Sequence, residues 1–162
     1  MGAMRMGTSP KRILVATDLS EDSAPLVAYA ADLARKFDAE LVALHVFNPE
    51  TYQEIQGETG MAIDQYVGYL RSEMRYQLDE ADRDISSQLE VLEGWSIPEQ
   101  ILATASRQHA DLIVLGTHAR TGLRRVFLGS VAEEVLRHAR CPVLVLPISV
   151  LAEERTAVAV AS

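Results

Sequence analysis

Short apolar runs that alternate with stretches of helical spacing constrain this chain more than any other feature. Arg12–Thr17 (RILVAT), Glu40–Val46 (ELVALHV), Asp111–Leu115 (DLIVL) and Val143–Leu146 (VLVL) are nearly continuous in apolar residues. Strands of a parallel sheet are buried on both faces and read this way. Ser87–Glu93 alternates more and is read as a further strand, third in chain order. Between the strands, Val27, Ala30, Ala31 and Ala34 keep helical spacing to about Phe37. Ser20 is placed as the cap of that helix, with Glu21 and Asp22 in its first turn. Ile63, Val67, Leu70, Met74, Leu78, Ala81 and Ile85 step by three and four along a long amphipathic helix. Pro98 fits the first turn of a helix ending near His109, and Val131, Val135, Leu136 and Ala139 mark the last. Residues 49–60 (PETYQEIQGETG) are read as a loop, because Asn48-Pro49 breaks the preceding strand. Strands alternating with helices predict an open five-stranded parallel sheet with helices on both faces.

The 162 residues suit a single core. The organisation expected is an N-terminal arm over 1–10, one α/β domain over 11–147 and a tail over 148–162. Within that tail TAVAVA could pair as a strand or remain mobile. The opening MGAMRMGTSP has no apolar stretch of the kind a leader needs, and no run approaches the ~18 apolar residues of a membrane span. No membrane association is expected. A formal charge of −8 argues against general nucleic-acid binding. The single cysteine, Cys141, excludes an internal disulfide and fits a reducing, cytoplasmic setting. It is read as a buried structural thiol. Only Lys11 and Lys36 are lysines, so there is neither a GxxxxGK[ST] phosphate loop nor a late-strand lysine for Schiff-base chemistry. ATDLSED follows the first strand where a dinucleotide fold would carry GxGxxG.

One segment runs against the acidic whole. GTHARTGLRRVFLGS, Gly116–Ser130, carries three arginines and a histidine but no acid. It joins the end of the fourth strand to the start of a helix, where α/β sheets bind ligands. A helix N-terminus presents unpaired N–H groups and about half a positive charge. Gly129 would let a phosphate approach the backbone, Ser130 would add a hydroxyl, and Arg120, Arg124 and Arg125 would offset phosphate charge. Gly116 and Gly122 are expected to permit turns with positive φ. The competing reading is local: Ser130-Val-Ala-Glu133 is also an [ST]xx[DE] capping box. Asp18, after the first strand, could accept from a ribose or a base amine, or could be a turn aspartate.

Taken together, RILVATDLSEDS, AELVALHVF, DLIVLGTHARTGLRRVFLGSVAEEVLRHA and CPVLVLP resemble the universal stress protein family over roughly residues 11–147. The resemblance implies strand order 3-2-1-4-5 and a homodimer. It also implies a site for ATP or another adenine nucleotide. The ATP-binding subgroup carries G-x2-G-x9-G-[ST]; here Gly116, Gly129 and Ser130 fill three positions, and Ala119 stands at the second glycine. By the same resemblance Ala16, Thr17 and Asp18 lie near base and ribose, and Val46 contacts the adenine. Leu115, Gly116, His118, Ala119, Arg120 and Gly122 follow from the fourth strand. The phosphates lie across Gly129, Ser130 and Val131, with Mg2+ or Mn2+ held chiefly by the nucleotide. The function implied is a cytoplasmic ATP-binding stress-response or regulatory protein. The alternative is an interaction homodimer without nucleotide. No catalytic set is visible: His118 has no identifiable partner, and His45, His109 and His138 lack metal-ligand spacing. His45 is read as a strand-end or core histidine. VLVL, at the expected sheet edge, is the surface through which a dimer would form.

Overall fold

The computed structural model of the chain describes residues 9–118, 128–151 and 153. The element order is β1 (Arg12–Ala16), α1 (Ala24–Phe37), β2 (Glu40–Phe47), α2 (Pro49–Thr59), α3 (Ile63–Ala81), β3 (Ser87–Glu93), α4 (Ile97–Arg107), β4 (Leu112–Thr117), α5 (Ser130–His138) and β5 (Val143–Pro147). The strands form one sheet in the order β3-β2-β1-β4-β5, and every neighbouring pair is parallel. This is the expected architecture.

Alternation along each strand divides the core between the two faces. Ile13, Val15, Leu41 and Ala43 point into a cluster with Val27, Ala30, Leu70, Met74 and Leu78 of α1 and α3. Leu14, Val42, Leu44 and Ile113 point the other way, toward Ile101 and Ala105 of α4 and Ala132 and Val135 of α5. Side chains also pin the amino ends of the strands. Asp111 Oδ2 accepts from the Lys11 and Arg12 backbone N–H groups at 2.8 and 3.0 Å. Arg12 pairs with Glu40 at 2.6 Å and donates to the Gln108 carbonyl.

Three local expectations are corrected. Residues 49–60 are not a loop: α2 fills Pro49–Thr59. Asn48 caps it by accepting from the Glu50 N–H at 2.7 Å, proline stands in the first turn, and Gly60 ends it at φ 70°. Proline just inside the start and glycine just past the end is helix punctuation. Tyr52 of α2 then stacks on Tyr66 at 5.5 Å, and Tyr66 meets Phe47 edge-on at 5.2 Å. Ser20 does not cap α1. A 3-10 turn, Glu21–Ser23, intervenes, and Ser23 occupies the cap position. β4 starts one residue later than expected and continues to Thr117, so Gly116 is a strand residue without positive φ.

In the tail, residues 148–151 are helical, and Ile148 and Leu151 are buried. TAVAVA lies outside the described residues. Cys141 is half-buried, and burial pushes its thiol pKa up, with Asp111 adding to the effect.

Met74 is fully buried between α3 and the sheet. Met74→Ala is expected to destabilise the domain by about 2–5 kcal/mol, read as a lower urea midpoint with an unchanged m-value.

Candidate functional site

The chain leaves β1 between two neighbours, β2 and β4, and the helices that follow these strands go to opposite faces. A crevice opens there, at the carboxyl ends of the strands. It is a cavity of about 590 Å³. Its walls come from four places. Ala16, Thr17 and Asp18 follow β1; Val46 ends β2; Leu115, Gly116, Thr117 and His118 end β4; Gly129, Ser130 and Val131 begin α5. Ten of the residues singled out from the sequence therefore line one cavity. The other three, Ala119, Arg120 and Gly122, lie outside the described residues, as do Arg124 and Arg125.

The turn after β1 is held by side chains standing in for a ladder. The Leu19 N–H donates to Thr17 Oγ1 at 3.0 Å. The Ser20 N–H and hydroxyl donate to Asp18 Oδ1 at 3.0 and 2.6 Å. Thr17 and Ser23 hydroxyls lie 2.9 Å apart. Asp18 is thus a turn aspartate through Oδ1, while its other oxygen, Oδ2, is turned to a second residue that lines the cavity. That residue is His118, for which the sequence offered no partner; its Nε2 approaches to 3.4 Å. Partial burial raises the Asp18 pKa, but hydrogen bonds from Ser20, Ser23 and His118 outweigh it and hold the carboxyl below its ordinary range. Asp18 is therefore an anion across the neutral range.

His45 supports the turn from beneath. Its Nδ1 lies 2.9 Å from the Thr17 carbonyl. A carbonyl can only accept, so Nδ1 carries the hydrogen. Burial pushes the imidazole below its ordinary value of 6.5, against the opposing pull of the Thr17 carbonyl and Asp18. His45 is a neutral core histidine.

On the far wall, Gly129 caps α5 with φ 78° and ψ 148°, and Ser130 is the first helical residue. The capping-box reading placed Ser130 one position earlier, at the cap. That combination of angles is essentially restricted to glycine. Among the described residues a Cβ at Gly129 would meet only Thr117 Oγ1, at 3.9 Å, so it is the conformation that calls for glycine at this position. Gly116 is glycine for the opposite reason. A Cβ there would come within 2.7 Å of Ile148 Cδ1 and 3.1 Å of Leu26 Cδ2.

The apolar side of the cavity was less legible. Leu26, Ile97, Ile101, Leu128, Ala132 and Ile148 line it, with Ser23 as a polar member. Helical spacing in the sequence does not say which apolar positions adjoin a cavity. Ile148 lies in what reads as a tail. Among the described residues no group of three or more His, Cys, Asp or Glu side chains is placed to hold a metal ion. No helix there is long and apolar enough to cross a membrane.

Residues 10–147 match the model of the universal stress protein family. The chain belongs to the universal stress protein family. A universal stress protein of Methanocaldococcus jannaschii is 34% identical over 142 residues, covering 84% of this chain and 81% of that protein. A universal stress protein solved in complex with cAMP superposes with a TM-score of 0.61 at 23% identity, over 86% of this chain and 98% of the other. One from Archaeoglobus fulgidus, in complex with dAMP, gives 0.54 at 22% identity, over 83% and 95%. These two structural likenesses concern the fold.

The buried neutral histidine makes this universal stress protein fold acid-sensitive in a defined window. The native His45 pKa lies below its unfolded value near 6.5. Above that pH neither state is protonated there. As pH falls through it, the unfolded chain gains a proton that the native state refuses, and stability drops by at most about 1.4 kcal/mol per pH unit. Urea midpoints between pH 7.5 and 5 should fall for wild type and fall less steeply for His45→Gln. Carboxylates with lowered native pKa values, Asp18, Glu40 and Glu90, lose their contribution only at lower pH, near and below 3.8–4.5.

Proposed function

We propose that this chain is a cytoplasmic adenine-nucleotide-binding regulatory protein that takes ATP in the cavity between β1, β4 and α5. The observation that carries the reading is the start of α5. Gly129, Ser130, Val131 and Ala132 line the cavity, and the glycine is held at φ 78°. A phosphate group fits such a place, because the orphan donors of a helix start and its dipole both favour an anion. Ser130 and Thr117 add hydroxyls to the same wall. Val46, Ile97, Ile101 and Leu115 offer an apolar surface to a base. Asp18 offers an acceptor to ribose hydroxyls. A divalent ion would arrive with the phosphates, whose oxygens it prefers. The cAMP and dAMP complexes of structurally similar family members support the ligand class.

In this reading the nucleotide supplies a charged, exchangeable wedge between α5 and the turn after β1. The chain's own residues bind and orient it. Occupancy would then change the surface around α5 and β5, which is the regulatory output. β5 ends the sheet, and Val143–Pro147 is half-exposed along its whole length. A bare apolar edge invites pairing, so the same reading takes β5 as the dimer contact. Val145→Lys should shift the mass seen by light scattering from dimer toward monomer. A wild-type monomer at micromolar concentration would exclude that contact.

Ser130→Asp separates phosphate binding from helix capping. An acid in the first turn of α5 is favourable to the helix by about 0.3–1 kcal/mol, so the fold should hold or gain slightly in Tm. The same carboxylate repels a phosphate at that wall. Calorimetric titration with ATP, AMP and cAMP, with and without magnesium, should show about a tenfold or greater loss of affinity relative to wild type. Substitution of Gly129 would be a poorer test, because its backbone conformation would strain any side chain. A wild-type protein that binds none of the three would return the interaction dimer as the reading.

A further inference from the structure

Leu19 is the anomaly beside the site. Its φ is +63°, whereas the other non-glycine residues with positive φ among the described residues, Asp38 and His109, sit just beyond the ends of α1 and α4. Left-handed residues are ordinary after helix ends but costly for a leucine in a turn. Such strain persists only where surrounding contacts hold it.

Within the turn, the Ser23 N–H and hydroxyl donate to the Ser20 carbonyl at 3.1 and 2.9 Å; the contact that reaches it from outside, and that serves the Leu19 carbonyl as well, comes from α3. Gln77 Nε2 donates to the Leu19 carbonyl at 3.2 Å and to the Ser20 carbonyl at 3.1 Å. Two carbonyls fix the amide's orientation, since only its nitrogen can donate to them. The other end of the same amide, Oε1, is buried without a hydrogen-bond partner. An orphaned acceptor costs stability. A residue present for packing alone would be better served by an apolar side chain of the same length, so the donor end is what this position uses.

The structure assigns Gln77 as a positioning residue for the cavity: by clamping the Leu19 and Ser20 carbonyls, it holds the left-handed turn that presents Asp18. The assignment rests on the nucleotide reading for its functional consequence. The chain of contacts is short. Gln77 fixes two carbonyls; the turn so fixed aims the Leu19 N–H at Thr17 Oγ1 and the Ser20 N–H at Asp18 Oδ1. Oδ2 is thereby left to His118, and both residues line the cavity. α3 lines no part of the cavity, yet this one side chain couples it to the site.

The test compares Gln77→Met, which keeps length and loses the donor, with Gln77→Lys, which keeps donors for both carbonyls. Two readouts need no ligand. Amide hydrogen exchange at Leu19 and Ser20 should quicken at least about tenfold in Gln77→Met, with core amides such as Leu14 and Val42 unchanged. The Asp18 carboxyl, followed by carbon-13 NMR, should titrate closer to its ordinary value as the Ser20 bonds loosen. Affinity for ATP with magnesium should fall at least about fivefold in Gln77→Met, and Gln77→Lys should restore all three. Unchanged exchange and an unchanged Asp18 titration in Gln77→Met overturn the assignment. So does a loosened turn that still binds ATP at wild-type strength. If wild type binds no ATP, AMP or cAMP, the nucleotide reading falls, while exchange and the carboxyl titration still decide whether Gln77 holds the turn.

Discussion

β1 is hydrogen-bonded on both sides, to β2 over Arg12–Ala16 and to β4 over Ile13–Val15. A central strand flanked this way has no lateral exit, so its chain must turn at the seam where the helices diverge. The turn is partly buried, and its backbone groups need partners without a ladder. The Thr17 N–H finds the Leu44 carbonyl at 2.9 Å, and the Thr17 carbonyl finds His45. Thr17 Oγ1, Asp18 Oδ1, the Gln77 amide and the Ser23 N–H and hydroxyl serve what remains of Leu19 and Ser20. The polar residues after β1 are therefore occupied with the backbone first. What they offer a ligand is what is left over, and that is chiefly Asp18 Oδ2.

The opposite wall solves a different problem with two glycines. Gly129 is needed for an angle and Gly116 for a distance. Because Gly116 lacks a side chain, Ile148 can pack over the end of β4 beside Leu26 and close the apolar floor of the cavity. The residue just past β5 is thus part of the cavity wall, although it lies beyond the last recognisable strand. Filling the Gly116 position would push Ile148 rather than the backbone, so its effect would be felt in the shape of the cavity before it was felt in the fold.

The sheet was legible because parallel strands need continuous apolar runs, and few other structures do. Strand order and topology followed once the family resemblance was added. α2 was misread because Asn48, Pro49 and Gly60 are equally good punctuation for a loop and for a helix; only the packing of Tyr52 on Tyr66 decides between them. The cap at α5 slipped by one residue because Gly129 and Ser130 are both acceptable cap residues, and φ is not written in composition. Ser20 failed as a cap for a related reason: its hydroxyl is drawn to Asp18 instead. The pairing of Asp18 with His118, and the reach of Gln77 to Leu19, span 100 and 58 residues. No periodicity encodes contacts at that separation. The segment with the unusual basic charge contributed Gly116, Thr117, His118, Leu128, Gly129 and Ser130 to the described cavity, while its arginines lie outside the described residues.

The electrostatics of the two walls bear on how a nucleotide would lie. Asp18 is a carboxylate held ionised by its own turn, and it sits at the β1 side of the mouth. The start of α5, on the other side, carries the positive end of a helix dipole. A phosphate next to Asp18 would set like charges against each other in a partly desolvated cavity, where such repulsion is stronger than in water. The same carboxylate is a good acceptor for hydroxyls. The cavity is thus polarised across its width, and under the nucleotide reading only one orientation satisfies both walls: phosphates toward Gly129 and Ser130, sugar toward Asp18. The apolar side chains of Val46, Ile97 and Ile101 then remain for the base. Under the same reading, a net charge of −8 is no obstacle to an anionic ligand. The favourable charge need not come from the molecule as a whole, only from the few N–H groups that the first turn of α5 leaves unpaired.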